Sequence, residues 1–382
     1  MSRSYLDALS GQPIHPQAWA AIEGFASRAW ADPNQPHHEG RVSAHILQAA
    51  RESVAVTLDL PPSAVSFHPI GELADLAVGG VVEALVNKHG TGIEVIASSV
   101  ERSDVLAAAA MAGSAERVTQ VATDPTGKVE VDSLARTIAE LQGAPAAVLV
   151  QVANTELGTR QPLDQVIELA QSNDVPVVSD ATGALGLVDI PVGWSALFAN
   201  ASTWAGPPGI GVLAVAEASA WSAPHHGVNS PGDPRQDGMD VLSAAGAAAS
   251  LEAVWRRRES LGRHLYGLIE LARTRVPEII SDVDMLGDPI ERLPHIATFS
   301  VLYADGERLA NELNQRGIAV GSGSACASRA GLPSHVLTAV GALTHGNVRI
   351  SLPVDATADS IEHLLAALPA AVATVRSEAG SP

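Results

Sequence analysis

An alternation of short β-branched runs with amphipathic helical segments, which continues as far as Val215, constrains the fold more than any other feature of the sequence. Strands that are separated by helices pair as a parallel sheet with helices on both faces. The sequence therefore predicts an α/β fold. The predicted strands occupy residues 93–97, 117–121, 147–152, 176–179 and 210–215, and two of the predicted helices occupy residues 132–141 and 163–172.

The chain beyond Val215 has a different pattern. Residues 222–238 read SAPHHGVNSPGDPRQDG and are rich in turn formers, which predicts a long loop. An alanine-rich helical pattern then runs from Asp240 to about Val276, and strands are predicted near residues 295–301 and 348–352 with helices between them. This part of the chain predicts a second, smaller α+β unit.

The composition limits the classes of partner. The chain has 382 residues, of which 46% are hydrophobic, and this is enough for two domains with their own cores. Acidic residues outnumber lysine and arginine by 42 to 23, which gives a net charge of -19 and a field that repels nucleic acid and anionic lipid. We therefore expect neither nucleic-acid nor membrane binding. The chain also lacks an apolar run of about 20 residues and a signal-peptide pattern, which predicts a cytoplasmic protein.

Two residue types are scarce and therefore informative. Cys326 is the single cysteine, so the chain has no internal disulfide and no multi-cysteine metal site. It lies in a Gly/Ser-rich loop within GIAVGSGSACASRAGLPSHVL, residues 317–337. Two interpretations of Cys326 remain open, an exposed and mobile thiol or a buried, inert small side chain. The two lysines are Lys88 and Lys128, and both are predicted to lie on the surface.

Four histidines stand in two adjacent pairs, at His37, His38, His225 and His226. Both pairs lie in segments that predict flexible loops, and such loops do not fix the geometry that a metal ion needs. We predict no metal site.

A set of motifs in a fixed order resembles the pyridoxal-phosphate-dependent cysteine desulfurases of the class V aminotransferase family. The run GIAVGSGSACASRAGLPSHVLTAVG is followed by HGNVRISL, as in that family. The other matching segments are YLDALSGQP at residues 5–13, DPNQPHHEGR at 32–41, VANTELGTRQPL at 152–163, SDATGALG at 179–186 and GPPGIGVL at 206–213.

The resemblance implies a fold and a domain division. It implies a fold-type-I pyridoxal-phosphate-transferase-like fold, in which a mostly parallel seven-stranded sheet lies between helices and a smaller α+β C-terminal domain follows. The predicted large domain spans residues 15–240. Residues 1–14 with 241–382 form the predicted small domain, which carries the Cys326 loop. The family also implies a dimer.

The resemblance also assigns roles to residues of the site. In the family the loop cysteine, here Cys326, attacks the sulfur of substrate cysteine and leaves as a persulfide. The arginine at position 349 binds the substrate carboxylate, Asn154 contacts the bound groups, and Asp180 pairs with the pyridine nitrogen. Each has a structural alternative: Arg349 as an ion-pair partner, Asn154 as a partner for buried backbone groups, and Asp180 as the cap of a following helix.

The cofactor contacts depart from the family pattern. Thr203 occupies the position of the lysine that holds the cofactor as a Schiff base, and a hydroxyl group cannot form an imine. Ser202 replaces the preceding histidine, and neither Lys88 nor Lys128 is close in the sequence. The remaining departures are Pro69, Ile70 and Glu72 in the phosphate loop, Arg102 in place of a histidine that stacks on the ring, Gly183 in place of a glutamine, and Gly232–Asp233 in place of a phosphate-binding Gly-Thr pair.

These departures predict a degenerate site that binds no cofactor, with Asp180 as a vestige. The expected function is a cofactor-free persulfide relay or partner subunit, which pairs with itself or with an active desulfurase and passes sulfur to an acceptor protein. Two alternatives stay open. One is an active pyridoxal-phosphate-dependent desulfurase that converts L-cysteine to L-alanine and an enzyme persulfide, and the other is a non-catalytic scaffold.

Overall fold

A computed structural model describes residues 3–224, 240–322 and 333–378. The predicted loop at 222–238, with His225, His226 and the Gly232–Asp233 pair, lies almost wholly outside the described residues. Strands in the described part are β1 Ser4–Leu6, β2 Val65–Pro69, β3 Glu94–Ser98, β4 Val118–Val121, β5 Ala146–Leu149, β6 Val177–Asp180, β7 Ala196–Asn200, β8 Ile210–Val215, β9 Val283–Leu286, β10 Ile296–Val301, β11 Ile318–Val320 and β12 Asn347–Ser351.

The α-helices of the described residues alternate with the strands in the first part of the chain. They are α1 Pro16–Phe25, α2 His38–Leu58, α3 Leu73–His89, α4 Ser103–Gly113, α5 Val131–Glu140, α6 Leu163–Gln171, α7 Val241–Trp255, α8 Arg258–Ile279, α9 Gly306–Gln315, α10 His335–Ala339 and α11 Ala358–Glu378.

A seven-stranded sheet with the order β2-β8-β7-β6-β5-β3-β4 forms the centre of the larger part of the molecule. The pairs from β4 through β7 are parallel, and β8 is antiparallel to both β7 and β2. The predicted α/β fold with a mostly parallel seven-stranded sheet is confirmed. All five strands predicted up to Val215 are present, although β5 ends three residues earlier than expected, at Leu149 instead of Val152.

Successive residues of the central strands enter two different apolar cores. Val148 and Leu197 belong to the core on one face of the sheet, whereas their neighbours Leu149 and Phe198 belong to the core on the other face. The side chains of a strand alternate between faces, so a strand that is covered on both sides must be apolar throughout. This is why these strands read as continuous apolar runs in the sequence.

The C-terminal part contains a three-stranded antiparallel sheet in the order β12-β10-β9. A separate pair joins the two ends of the chain, because β1 runs parallel to β11 and Tyr5 lies opposite Ala319. The domain limits at residues 15–240 and 241–382 stay a prediction.

The helical stretch predicted from Asp240 to about Val276 consists of two helices, α7 and α8, which are separated at Arg256 and Arg257. Helix α7 is apolar around most of its circumference and packs on α1 and α2, whereas α8 is amphipathic and packs on α11. One straight helix cannot serve both surfaces, and Arg257 leaves the helical conformation with φ of -107°.

One helix of the described residues, α11, has the length and apolar composition of a membrane span. It packs on α8 and α9, and its residues Ile361, Leu364 and Leu368 are fully buried. These contacts are those of a helix in a protein core.

Candidate functional site

The candidate site is a cleft of about 290 Å³ at the carboxyl ends of the parallel strands β5, β6 and β7. In an open α/β sheet the residues that follow these strand ends converge, and ligands bind at that edge. Six polar side chains that line the cleft carry its chemistry: Arg102, Asp104, Asn154, Glu156, His335 and Arg349. Asp180 and Thr203 are buried behind the cleft and contact its lining residues Arg102 and Asn200. We call this part the floor, and the part around Arg349 and Glu156 the rim.

Asp180 is the last residue of β6, and its side chain is only 2% exposed. Its Oδ1 accepts a hydrogen bond of 2.8 Å from the N–H of Thr182. Its Oδ2 lies 3.4 Å from Nη1 of Arg102, an ionic contact without hydrogen-bond geometry. Burial raises the pKa of Asp180, and the charge of Arg102 opposes that shift. The carboxylate thus holds a turn, whereas the structural alternative was the cap of a following helix, and residues 182–187 form turns.

Arg102 reaches this carboxylate from the N-cap position of α4. Its Nε and Nη2 bind the two oxygens of Asp104 at 3.1 and 2.5 Å, which leaves Nη1 to face Asp180. Asp104 itself stands in the first turn of α4, where a negative charge stabilises the helix. The guanidinium is therefore held between two carboxylates. The sequence analysis missed Asp104, and its position two residues after Arg102 at a helix start was the available signal.

Glu101 adds a second buried acid to the floor. Its Oε1 accepts a 2.9 Å hydrogen bond from the N–H of Gln151, and the residue is only 1% exposed. Burial raises the pKa of Glu101 well above its usual range, and the nearby charge of Asp180 raises it further. Burial thus favours the protonated form of Glu101, next to the ion pair of Asp180 and Arg102.

Thr203 follows β7 in a short 3-10 helix, Ala201–Trp204. Its Oγ1 donates a 2.8 Å hydrogen bond to the carbonyl oxygen of Asn200 and accepts one of 3.2 Å from the N–H of Gly183. The φ of Gly183 is +82°, a conformation that strains other residues, so the glycine is required by the turn. The hydroxyl of Thr203 is thus engaged by backbone groups in a buried position.

Both lysines of the chain lie in the described part, and both are in ion pairs away from the cleft. Lys88 Nζ lies 3.7 Å from Asp174 Oδ2, and Lys128 Nζ lies 2.6 Å from Asp288 Oδ2. Neither side chain lines the cleft.

Asn154 lines the cleft, but its side-chain amide is hydrogen-bonded to backbone groups. Its Oδ1 accepts hydrogen bonds from the N–H groups of Glu156 and Leu157 at 2.9 and 2.8 Å, and its Nδ2 donates to the carbonyl oxygen of Val100 at 2.9 Å. This geometry is that of its structural alternative. Its predicted contact with substrate stays a prediction.

Arg349 lies on β12 at the rim, where its Nη2 is 3.0 Å from Oδ1 of Asp7. Its Nη1 reaches the carbonyl oxygen of Thr155 at 3.5 Å, while its Nε is buried without a hydrogen-bond partner in the described residues. Arg349 is therefore an ion-pair partner of Asp7, and its Nε–H has no hydrogen-bond partner among the described residues. The predicted contact with a substrate carboxylate is not tested by this geometry.

Glu156 is a rim residue that the sequence analysis missed, although it stands inside the matching segment VANTELGTRQPL. Its Oε2 accepts a 2.6 Å hydrogen bond from Ser334, and burial raises its pKa. His335, the next residue, contacts the carbonyl oxygen of Glu101 through Nε2 at 2.8 Å.

Cys326 lies outside the described residues, which break off after residue 322 and resume at residue 333. The described ends on either side both lie at the rim. Gly321 pairs with Arg349 through two backbone hydrogen bonds of 3.0 and 2.8 Å, and Ser334 binds Glu156.

Of the histidines considered as metal ligands, His37 has a structural role. Nδ1 of His37 accepts a hydrogen bond from the N–H of Gly40 and caps α2. Within residues 3–224, 240–322 and 333–378, no group of three or more metal-ligating side chains is present.

The fold and these residues define a class of protein. A model of the aminotransferase class-V family matches residues 4–229 and 239–364, so the chain belongs to that family. An IscS-like cysteine desulfurase from Mycobacterium tuberculosis is 32% identical over 394 residues, which cover 98% of each chain. A cysteine desulfurase IscS from Dictyoglomus turgidum is 27% identical over 381 residues, 98% of this chain and 95% of that one.

A solved structure of a NifS-like protein superposes with a TM-score of 0.84 at 20% identity and covers 97% of this chain and 100% of its own. This likeness is one of fold. Together with the sequence relatives, it makes the chain cysteine-desulfurase-like, and the predicted resemblance to that family is confirmed.

The family is normally dependent on pyridoxal phosphate, so we tested whether the residues present fit this cofactor. They do not. At the position where the sequence analysis expects the imine-forming lysine, the hydroxyl of Thr203 is bonded to backbone groups, and the carboxylate predicted to meet the pyridine nitrogen faces Arg102. At the phosphate loop Pro69 has no N–H group, and the N–H of Ile70 already donates to the carbonyl oxygen of Gly209 at 3.1 Å.

Proposed function

We propose that this cysteine-desulfurase-like protein works without pyridoxal phosphate and serves as a persulfide relay or partner subunit in sulfur transfer. The observation that carries the proposal is the engagement of Thr203. Its buried hydroxyl is bonded to Asn200 and Gly183 at the position where the family needs an amine. The two lysines that could have replaced it are paired with Asp174 and Asp288.

The relay step needs only a thiol. The thiolate of Cys326 attacks the outer sulfur of a donor persulfide, R–S–SH, so that a new S–S bond forms as the donor S–S bond breaks. The products are the Cys326 persulfide and the donor thiolate, R–S⁻. The same exchange with an acceptor thiol returns Cys326 to its starting state. No oxidant is required, because the transferred sulfur keeps its oxidation state throughout.

The rim supports this reaction by its position. Gly321 and Ser334, the described residues near the two ends of the segment with Cys326, contact Arg349 and Glu156. The Nε–H of Arg349 has no hydrogen-bond partner in the described part of the chain, and we propose Arg349 and Asn154 as the residues that meet incoming sulfur donors. A thiol between Gly321 and Ser334 in the sequence is the part of the family mechanism that does not depend on a cofactor.

We propose a dimer as the working form, either with a second copy or with an active desulfurase that supplies the persulfide. The third participant is a sulfur-acceptor protein in iron–sulfur or thiolation chemistry. Because the chain carries a net charge of -19, we propose neither nucleic acid nor membrane as a partner, and we place the protein in the cytoplasm.

The test follows labelled sulfur. An active cysteine desulfurase is charged with sulfur-labelled cysteine and mixed with this protein or with its Cys326→Ser variant. The proposal expects label on Cys326 in the unmodified protein, none in the variant, and no alanine when the protein is given cysteine and pyridoxal phosphate alone. Alanine release by the protein alone supports an active desulfurase instead. The absence of label from both the protein and the variant supports a scaffold.

A further inference from the structure

The floor of the cleft contains a positive charge that belongs to the protein itself. Nη1 of Arg102 lies 3.4 Å from Oδ2 of Asp180, whose side chain is 2% exposed. Asp104 binds the other two donors of the same guanidinium at 3.1 and 2.5 Å. The two carboxylates thereby fix both the position and the plane of the guanidinium.

A buried carboxylate without a counter-charge is strongly unfavourable, and one cation is enough to compensate it. A second cation at the same carboxylate would meet the charge of Arg102 at short range in a site with little water. Asp180 Oδ1 is already bonded to Thr182, so Oδ2 is the atom for which the two cations would compete.

We propose that Arg102 excludes pyridoxal phosphate from the floor by supplying internally the positive charge that a protonated pyridine ring would bring to Asp180. Arg102 is a specificity-determining residue in this account, and Asp104 is the positioning residue that holds it. The inference deepens the proposed function and rests on it. Its separate claim is that the loss of lysine at position 203 is only part of the reason for the absence of cofactor chemistry.

Because residue 102 is an arginine, the exclusion of the cofactor does not depend on pH. A guanidinium group stays charged at every pH at which the protein is folded, whereas an imidazole in the same place would lose its charge near neutral pH. The paired hydrogen bonds from Arg102 to the two oxygens of Asp104 also require two parallel N–H donors, which lysine does not offer. The positive charge that Arg102 presents to Asp180 therefore does not depend on pH in this range.

The direct test restores the cofactor groups one at a time. Pyridoxal phosphate is titrated into the unmodified protein, Thr203→Lys, Arg102→His and the double variant Thr203→Lys/Arg102→His, and the aldimine is followed by absorbance and by mass after borohydride reduction. We expect no aldimine in the unmodified protein or in Arg102→His. We expect the double variant to retain the cofactor at least about tenfold more tightly than Thr203→Lys alone. Equal retention by these two variants, or no aldimine in either, overturns the role of Arg102.

A second measurement does not depend on folding of the lysine variant. Arg102→Ala leaves Asp180 buried without its cation, and we expect its melting temperature to fall by about 5 °C. Millimolar methylguanidinium should recover at least half of that loss, and sodium chloride at equal ionic strength should not. The double variant Arg102→Ala/Asp180→Asn should show no recovery. Arg308→Ala, which removes a surface partner of Glu378, is the matched control and should not respond to methylguanidinium.

The two proposals fail in different ways. An aldimine in the unmodified protein contradicts the proposed function. A colourless unmodified protein, with methylguanidinium acting equally on Arg102→Ala and Arg308→Ala, leaves the proposed function intact and overturns the role of Arg102.

Discussion

The floor and the rim of the cleft lie at the same edge of one sheet, yet their polar groups are used differently. At the floor, Thr203 is bonded to the backbone and Asp180 is paired with Arg102, so the polar groups of both residues are engaged within the protein. At the rim, the buried Nε–H of Arg349 has no hydrogen-bond partner among the residues that the structure describes, and Glu156 is a buried acid whose Oε2 accepts a hydrogen bond from Ser334.

The difference shows that buried charges at one edge of a sheet are compensated in two ways. At the floor, the guanidinium of Arg102 compensates the carboxylate of Asp180, which is buried and cannot be hydrated. At the rim, Asp7 pairs with Arg349, and the acid Glu156 is bonded to the neutral hydroxyl of Ser334.

The largest expected effect concerns the packing beneath the floor. Trp204 is fully buried, and its Nε1 donates a 3.0 Å hydrogen bond to the carbonyl oxygen of Ala247, which fixes the short helix that presents Thr203. We expect Trp204→Ala to lower the free energy of unfolding by about 4 kcal/mol in urea denaturation. Trp204→Phe, which keeps the ring and removes the hydrogen bond, should cost about 1–2 kcal/mol. A loss below about 1 kcal/mol for the alanine variant would show that the floor is not rigidly supported.

The next effect is a pH dependence that arises at the floor. The folded-state pKa of Glu101 lies above its ordinary value of 4.5, so the folded protein binds this proton more tightly than the unfolded chain. The stability that protonation confers is fully present below about pH 4.5 and is lost as the pH rises through the folded-state pKa.

Glu101→Gln cannot lose this proton and keeps an oxygen for the N–H of Gln151. We expect the variant to exceed the unmodified protein by at least about 1 kcal/mol at pH 8 and to match it near pH 4, as measured by urea denaturation across this range. The exposed Glu116→Gln serves as control and should show no such trend. A stability difference that does not change with pH contradicts the assignment.

A smaller effect is expected at the rim. Arg349 and Asp7 form an ion pair of 3.0 Å whose side chains are 10% and 19% exposed. A double-mutant cycle with Arg349→Ala and Asp7→Ala should give a coupling energy of about 1 kcal/mol, and neither variant should alter the response of the floor to pH. Coupling between Arg349→Ala and Glu101→Gln of the same size would show that floor and rim are one unit.

The smallest effect is expected from the lysines. Lys88→Arg and Lys128→Arg keep the charge that pairs with Asp174 and Asp288, and we expect each to change the free energy of unfolding by less than about 0.5 kcal/mol. Neither should change the absorbance spectrum in the presence of pyridoxal phosphate. Loss of a spectral band in either variant would reveal an imine at that lysine.

The sequence predicts the sheet well where strands are rich in β-branched residues, as at residues 93–97 and 210–215. It missed β7, whose ALFAN sequence has no β-branched residue, and it missed the break between α7 and α8, which depends on the surfaces that each helix meets. The assignment of Thr203 to the lysine position rests on the Gly-Pro turn after it and stays a prediction. The contact between Arg102 and Asp180 could not be predicted, because it joins residues that only the fold brings together.

The most direct test of the account is the reaction of the unmodified protein with pyridoxal phosphate. The protein is saturated with the cofactor, its absorbance is recorded, and it is reduced with borohydride and digested for mass spectrometry. The account predicts no aldimine band and no peptide that carries a reduced pyridoxyl group. A pyridoxyl group on a defined lysine, accompanied by a saturable aldimine band, would contradict it.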